Sequence, residues 1–282
     1  MSDFDFLQSF IFENHAIRGE LVFLSESYQT VLTQRPYPLL VGCLVGEAMA
    51  ATALLSGTIK YEGQLILQAQ TDQAMNLLVV QCDHHLNIRA LAKWQDDAHF
   101  SEPLLSQGQI VVTVSADKPS ASYQGIINIE SPSFSKNIEN YFEQSEQLPT
   151  RLFLVANERQ AVGMLLQKMP SQAIGESQSG EEWAYWEHVS ILLGSLTETE
   201  LLTLDAKTLL HRLYHEEDIR LYDPRPIQFA CRCTEEKMWA ALRLMEKSEI
   251  EDILKLNHTI DITCDFCNNV YVFSKEEVEK RL

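Results

Sequence analysis

Four of the six cysteines stand in two short pairs, Cys231-x-Cys233 and Cys264-x-x-Cys267, with thirty residues between the pairs. Thiolates are soft ligands, and four of them satisfy tetrahedral Zn²⁺ without leaving a coordination position open. Such a site holds structure or senses redox state rather than activating water. The spacing therefore predicts that Cys231, Cys233, Cys264 and Cys267 bind one zinc ion per chain. Cys264-Asp265-Phe266-Cys267 reads as the tight turn of a zinc knuckle at the tip of a strand pair. Asn268 and Asn269 follow, where a left-handed backbone is often needed and Asn tolerates it better than most residues. The stretch from Cys231 onward is too short for a generous core. A structural zinc site contributes roughly 10–16 kcal/mol of apparent binding energy, enough to decide whether such a module folds.

The first pair is less usual than the second. C-x-x-C is the common half-site of structural zinc modules, whereas the residues of a C-x-C are close enough to bridge each other if the backbone bends. Each pair can thus close locally once the metal leaves, at small loop-closure cost. Metal-bound thiolates also stay deprotonated and open to oxidants. The spacing leaves two readings open, a constitutive clip and a thiol switch.

Other side chains carry weaker signals. His211 and His215 are four apart on one helix face but lack the third ligand and general base of a metalloprotease motif. Cys82-Asp83-His84-His85 could ligate, yet reads more simply as the polar end of a strand. Cys43 reads as a small core residue, and Glu216-Glu217-Asp218 as a solvated acidic run. Phosphate-loop and nucleophile-elbow patterns are absent, so no catalytic residue is expected and the chain is not read as an enzyme.

Several elements must position these residues. A first helical signal spans Phe4 to Ser25. A second, rich in small and apolar residues, runs from Leu39 to Leu55 after Pro38 and reads as a buried helix. The period then falls towards two, predicting strands at 64–69, 76–81, 87–93, 110–115, 123–129, 151–155 and 161–167, with one helix at 133–143 capped by Ser133. This is the pattern of an α+β domain on an antiparallel sheet. Residues 170–180 read as a linker by composition. Helices follow: Trp183, Trp186, Val189 and Leu193 share a face, Thr197 and Glu200 form a capping box, and another helix covers 206–215. Asp223-Pro224-Arg225-Pro226 then stops helix formation. In the last module, short helices at 237–245 and 249–256 precede strands at 259–263 and 270–273. A final helix opens at Ser274 with Glu277 as its capping-box partner. The predicted domains are 1–178, a core domain; 179–230, a helical linker; and 231–282, a zinc-binding module.

Lys plus Arg number 22 and Asp plus Glu 40, a net charge of −18. So acidic a surface repels nucleic acid and anionic lipid. No apolar run of eighteen residues is free of charge, so no membrane span is expected. The opening Met1-Ser2-Asp3-Phe4-Asp5 is acidic where a secretory signal would be basic, which predicts a cytoplasmic protein. In a reducing compartment clustered cysteines bind metal or do redox chemistry more often than they form lasting disulfides.

The cysteine pattern resembles that of the redox-regulated 33 kDa chaperonin family, heat shock protein 33, and the resemblance covers essentially the whole chain. Phe12-Glu13-Asn14-His15-Ala16-Ile17-Arg18-Gly19-Glu20 is similar to the family's opening helix and turn. Tyr37-Pro38 and Gly46-Glu47 match its buried helix. Tyr123-Gln124-Gly125 and Tyr141 to Arg151 are similar to its most recognisable core stretch, and Leu213 to Glu217 precedes Tyr222-Asp223-Pro224 as in the family. Departures fall at turns: Thr71-Asp72-Gln73-Ala74, Arg89-Ala90 and Asn268 stand where relatives commonly carry glycine. The resemblance implies an ATP-independent holdase for unfolding client proteins under oxidative stress. It would be inactive when reduced and zinc-bound, and active, as a homodimer, once Cys231–Cys233 and Cys264–Cys267 disulfides expel the metal. Two other classes compete. A disulfide oxidoreductase using Cys264-x-x-Cys267 would need that pair at a helix N-terminus. A zinc-ribbon nucleic-acid binder is opposed by the charge.

Overall fold

The computed structural model describes residues 5–72, 74–95, 104–116, 122–170 and 176–281, with the side chains of 176–179 excepted. Met1 to Phe4 of the acidic start, Gln73 of one glycine-poor turn, and 171–175 of the expected linker lie outside the described residues. The described chain divides into two compact units, Met1–Phe229 and Ala230–Leu282.

The first unit opens with a correction. Strands β1 (Phe6–Phe12) and β2 (Ile17–Leu24) form an antiparallel hairpin where one helix over 4–25 was expected. Both faces of this hairpin are covered. Leu7, Val22 and Leu24 join one apolar cluster, and Phe10, Phe12, Ile17 and Leu21 join another. Apolar residues on both faces erase the alternation that marks a half-exposed strand. Gly19, opposite Phe10 in the register, is demanded by packing: a Cβ there would sit 2.0 Å from the Phe10 ring.

Helices α1 (Glu26–Gln34) and α2 (Leu39–Thr58) follow. α2 is long and apolar enough to cross a membrane by length and composition, but 78% of that window is buried within the protein. It lies between two sheets, and its small residues permit close approach: a Cβ on Gly46 would meet the Ala156 methyl at 2.6 Å. The predicted strands appear as β3 (Gly63–Gln70), β4 (Met75–Asp83), β5 (Asn87–Trp94), β6 (Gln109–Ala116), β7 (Tyr123–Asn128), β8 (Thr150–Ala156) and β9 (Ala161–Lys168). Helix α3 (Phe134–Gln144) starts at Ser133, whose side chain accepts from the Lys136 N–H as predicted.

Helices α4 (Glu176–Gly194), α5 (Glu198–Thr203) and α6 (Ala206–Tyr214) belong to the same compact unit. Their apolar face, with Trp186, Val189, Leu193, Leu201, Leu209 and Leu213, packs on Phe10, Phe12, Leu21 and Met164. The apolar face of the predicted helical linker, whose cover the sequence left open between the sheet domain and another chain, is docked on the core sheet. The reason is visible in burial: Trp186 is only 2% exposed, an apolar area too large to leave in water. Thr197 and Glu200 form the expected capping box, and Asp205 caps α6.

Short strands β10 (Ile219–Leu221), β11 (Arg225–Pro226) and β12 (Gln228–Phe229) then return the chain to both sheets. The sheet orders are β10-β1-β2-β9-β8, with β11 also on β1, and β12-β5-β4-β3-β6-β7. All pairings are antiparallel except β12 with β5. The mixed helix and sheet architecture agrees with the predicted α+β class.

In the second unit, α7 (Glu235–Leu242), α8 (Lys247–Asn257), β13 (Thr259–Thr263), β14 (Val270–Ser274) and α9 (Lys275–Arg281) enclose a small core. Trp239, Leu242, Ile250, Leu254, Ile260, Phe273 and Val278 form it. α7 starts two residues earlier than expected because Thr234 caps it, accepting from the Lys237 N–H. Ser274 and Glu277 make the expected reciprocal cap of α9.

Candidate metal centre

All four C-terminal cysteines meet at one point. Cys264 and Cys267 lie in the turn between β13 and β14, after Thr263 and before Val270, which pair with each other. The turn is fixed by its own backbone: Cys264 N–H donates to Asn269 O at 2.9 Å, and Asn268 N–H donates to Cys264 O at 2.9 Å. Asn268 takes φ 55°, the left-handed conformation read from its position. Cys231 and Cys233 sit on the extended stretch ahead of α7. Lys237, in the first turn of α7, donates to the Arg232 carbonyl between them at 2.6 Å.

The four sulfurs lie within 4.8 Å of one another. Cys231 Sγ is 3.7 Å from Cys264 Sγ, and Cys233 Sγ is 3.4 Å from Cys267 Sγ. Sulfurs 2.3 Å from a tetrahedral ion would stand roughly 3.8 Å apart, so the spacing fits one metal ion. Both of these contacts run between the two pairs, so each half of the motif contributes to one common donor set.

Electrostatics agree with a cation at the centre. Burial pushes the Cys264 and Cys267 thiols up. Backbone N–H groups of Phe266 and Cys267, with the Cys267 thiol, oppose this at Cys264, where Cys231 adds to the rise; at Cys267 the Asn269 N–H opposes it and the three other thiols add to it. A cluster that resists ionisation when bare needs a positive ion to hold it as thiolates. Tyr271, on β14, donates its hydroxyl to Cys233 Sγ at 3.2 Å, and that bond first and burial second push the phenol up to about 12. The strand position of Tyr271 gave no sign of this contact in the sequence; only the hairpin register places its hydroxyl there.

The other candidates do not assemble. Among the described residues the four cysteines are the single group with metal-holding geometry. His211 and His215 pack edge to face at 6.0 Å without further ligands. Asp83 is consumed by the turn it closes, accepting from the His85 and Asn87 N–H groups at 2.9 Å each. Cys82 is buried and donates to the Asp83 carbonyl, and Cys43 is half-buried on α2 rather than fully in the core. Cys264-x-x-Cys267 occupies a β-hairpin turn, not the helix N-terminus that a dithiol oxidoreductase would need.

Comparison with known proteins agrees with this architecture. The family model described as Hsp33 protein matches residues 5–274. A 33 kDa chaperonin of Shewanella sp. (strain W3-18-1) is 41% identical over 273 residues, covering 95% of this chain and 92% of the relative. One from Pseudomonas aeruginosa (strain LESB58) is 41% identical over 284 residues, covering 99% and 94%. The crystal structure of the Thermotoga maritima 33 kDa chaperonin superposes with a TM-score of 0.82 over 98% of this chain and 97% of that one, at 19% identity, a likeness of fold. Matched over nearly its full length in sequence, the chain belongs to the Hsp33 family.

Proposed function

We propose that this protein is a redox-regulated, ATP-independent holdase that binds unfolding proteins and keeps them from aggregating under oxidative stress. The observation that carries the reading is the convergence of four sulfurs within 4.8 Å in a module with a small core. Its relatives are named chaperonins, which supports a chaperone rather than an enzyme. In the resting state Cys231, Cys233, Cys264 and Cys267 hold one Zn²⁺, which supplies the charge that keeps them as thiolates and ties the extended stretch to the β13–β14 turn.

Activation is an oxidation of the four thiolates. Two equivalents of peroxide accept four electrons and, with four protons, leave as four waters; two S–S bonds form and Zn²⁺ departs. The pairing proposed is Cys231–Cys233 and Cys264–Cys267, each closing the shorter loop. Without its metal the 231–282 module loses its main support. The functional divisions proposed are a chaperone core, 1–178, a helical linker, 179–230, and the switch, 231–282. Release of α4–α6 would uncover Phe10, Phe12, Leu21 and Met164 on one side and Trp186, Val189 and Leu213 on the other, which is a surface suited to exposed apolar chain. The active form is a cytoplasmic homodimer without nucleic-acid or membrane partners, as the net charge of −18 favours.

The test is peroxide with mild heat on the zinc-loaded chain. About one zinc should leave per chain, as a single four-thiolate site requires, and suppression of client aggregation should appear without ATP. Equal activity of the reduced protein with zinc still bound would overturn the switch. Turnover of dithiol substrates would favour an oxidoreductase instead.

A further inference from the structure

The four sulfurs are not held alike. Cys264 and Cys267 accept from backbone N–H groups of their own turn, Phe266 and Cys267 for the first and Asn269 for the second. Those donors come with the knuckle. Cys233 lies on an extended stretch and accepts instead from a side chain far along the sequence, the Tyr271 hydroxyl at 3.2 Å. Tyr271 is well placed to hold that bond. It stands on β14 opposite Ile262, and its ring packs against the module's core.

We propose that Tyr271 is a positioning residue that restrains the Cys233 thiolate. The inference rests on the zinc reading of the four-cysteine site. A hydroxyl that donates to a thiolate draws charge from the sulfur, strengthens its hold on a metal through orientation, and lowers its reactivity towards an electrophilic oxidant. The bond also links the two halves of the site: the donor rides on the strand that leaves the Cys264–Cys267 turn, and the acceptor belongs to the other pair. Any event that frees β14 therefore removes the restraint on Cys233. The chemistry of the oxidation is unchanged; Tyr271 donates throughout and is neither oxidised nor deprotonated.

The experiment compares the full zinc-loaded chain with its Tyr271→Phe variant, which keeps the ring and removes only the hydroxyl. Zinc release under peroxide, followed with a chromophoric chelator, should accelerate about three- to tenfold, and zinc affinity should fall about tenfold, as for loss of an outer-shell partner. Differential alkylation read by mass spectrometry should place the gain at Cys233. With Co²⁺ in place of zinc, the sulfur-to-metal charge-transfer band should move to lower energy in Tyr271→Phe, a shift that a purely structural role for the ring would not produce. If Tyr271→Phe does not fold, 3-fluorotyrosine placed at 271 supplies a more acidic donor and should slow release below the wild-type rate. Unchanged rate, affinity and band in a folded, metal-loaded variant overturn the inference alone. A wild-type chain that takes up neither Co²⁺ nor Zn²⁺ overturns the site reading beneath it.

Discussion

Glu20 is a carboxylate in the interior of a sheet. It is 3% exposed on β2, and both its oxygens accept from Ser9 Oγ, at 2.9 and 2.8 Å. Burial nevertheless dominates and raises its pKa, against the Ser9 hydrogen bond and the pull of Arg225 and Arg18. A folded-state pKa above the unfolded one means the contribution to stability is complete below the unfolded value, near 4.3, and is lost as pH rises through the folded value. Glu20→Gln removes the buried charge at neutral pH. It should stabilise the first unit by about 1 kcal/mol at pH 8, with the difference closing towards pH 5. Urea titrations at the two pH values check this, and a gap that does not depend on pH would refute it. At the same scale the sequence was readable where chemistry is local. Asn268 was read as a left-handed position from its place after a C-x-x-C, and it takes φ 55°. Tyr271 was not readable as a donor to Cys233, because that contact joins residues thirty-eight apart through a hairpin register.

Elements were legible wherever one face meets water. Strands β3 to β8 and helix α3 stand close to their expected bounds, because their alternation or cap residues are largely intact; β9 was found as an apolar run although all but its last residue are buried. The β1–β2 hairpin was read as helix because apolar residues cover both its faces, and the three short strands β10 to β12 are too brief for any period to show. The helices of 176–214 were found, but sequence alone left open what their apolar face covers. The answer, the outer face of β1, β2 and β9, makes a prediction about docking. Trp186 is 2% exposed within that contact. Trp186→Ala should cost about 3–5 kcal/mol of packing there. On the chaperone reading, the reduced variant should bind an apolar dye and suppress aggregation without peroxide. A variant with native dye binding and no activity when reduced would show that this surface is not the one released.

Across the whole molecule, stability is divided unequally. The first unit buries a large cluster around α2 and a second under α4–α6, whereas the Ala230–Leu282 unit rests on seven buried apolar residues and the four-sulfur site. On the zinc reading, removing the metal should therefore unfold one unit and spare the other. A strong chelator should make the chain after Phe229 sensitive to protease while the first unit keeps its cooperative thermal transition. The same linkage has a sign in pH. The Cys264 and Cys267 thiols are pushed up in the bare site, so binding must expel their protons, and protons compete with the metal. Zinc affinity should fall with falling pH, by at least about tenfold per unit between pH 8 and 6, as measured by competition with a chelator of known pH dependence. The stability of the second unit should fall with it, while the Glu20 contribution of the first unit rises as pH falls. Opposite pH slopes for two transitions of one chain, the lower one abolished by chelator, is the signature expected; parallel slopes would mean that the four sulfurs do not hold the second unit together.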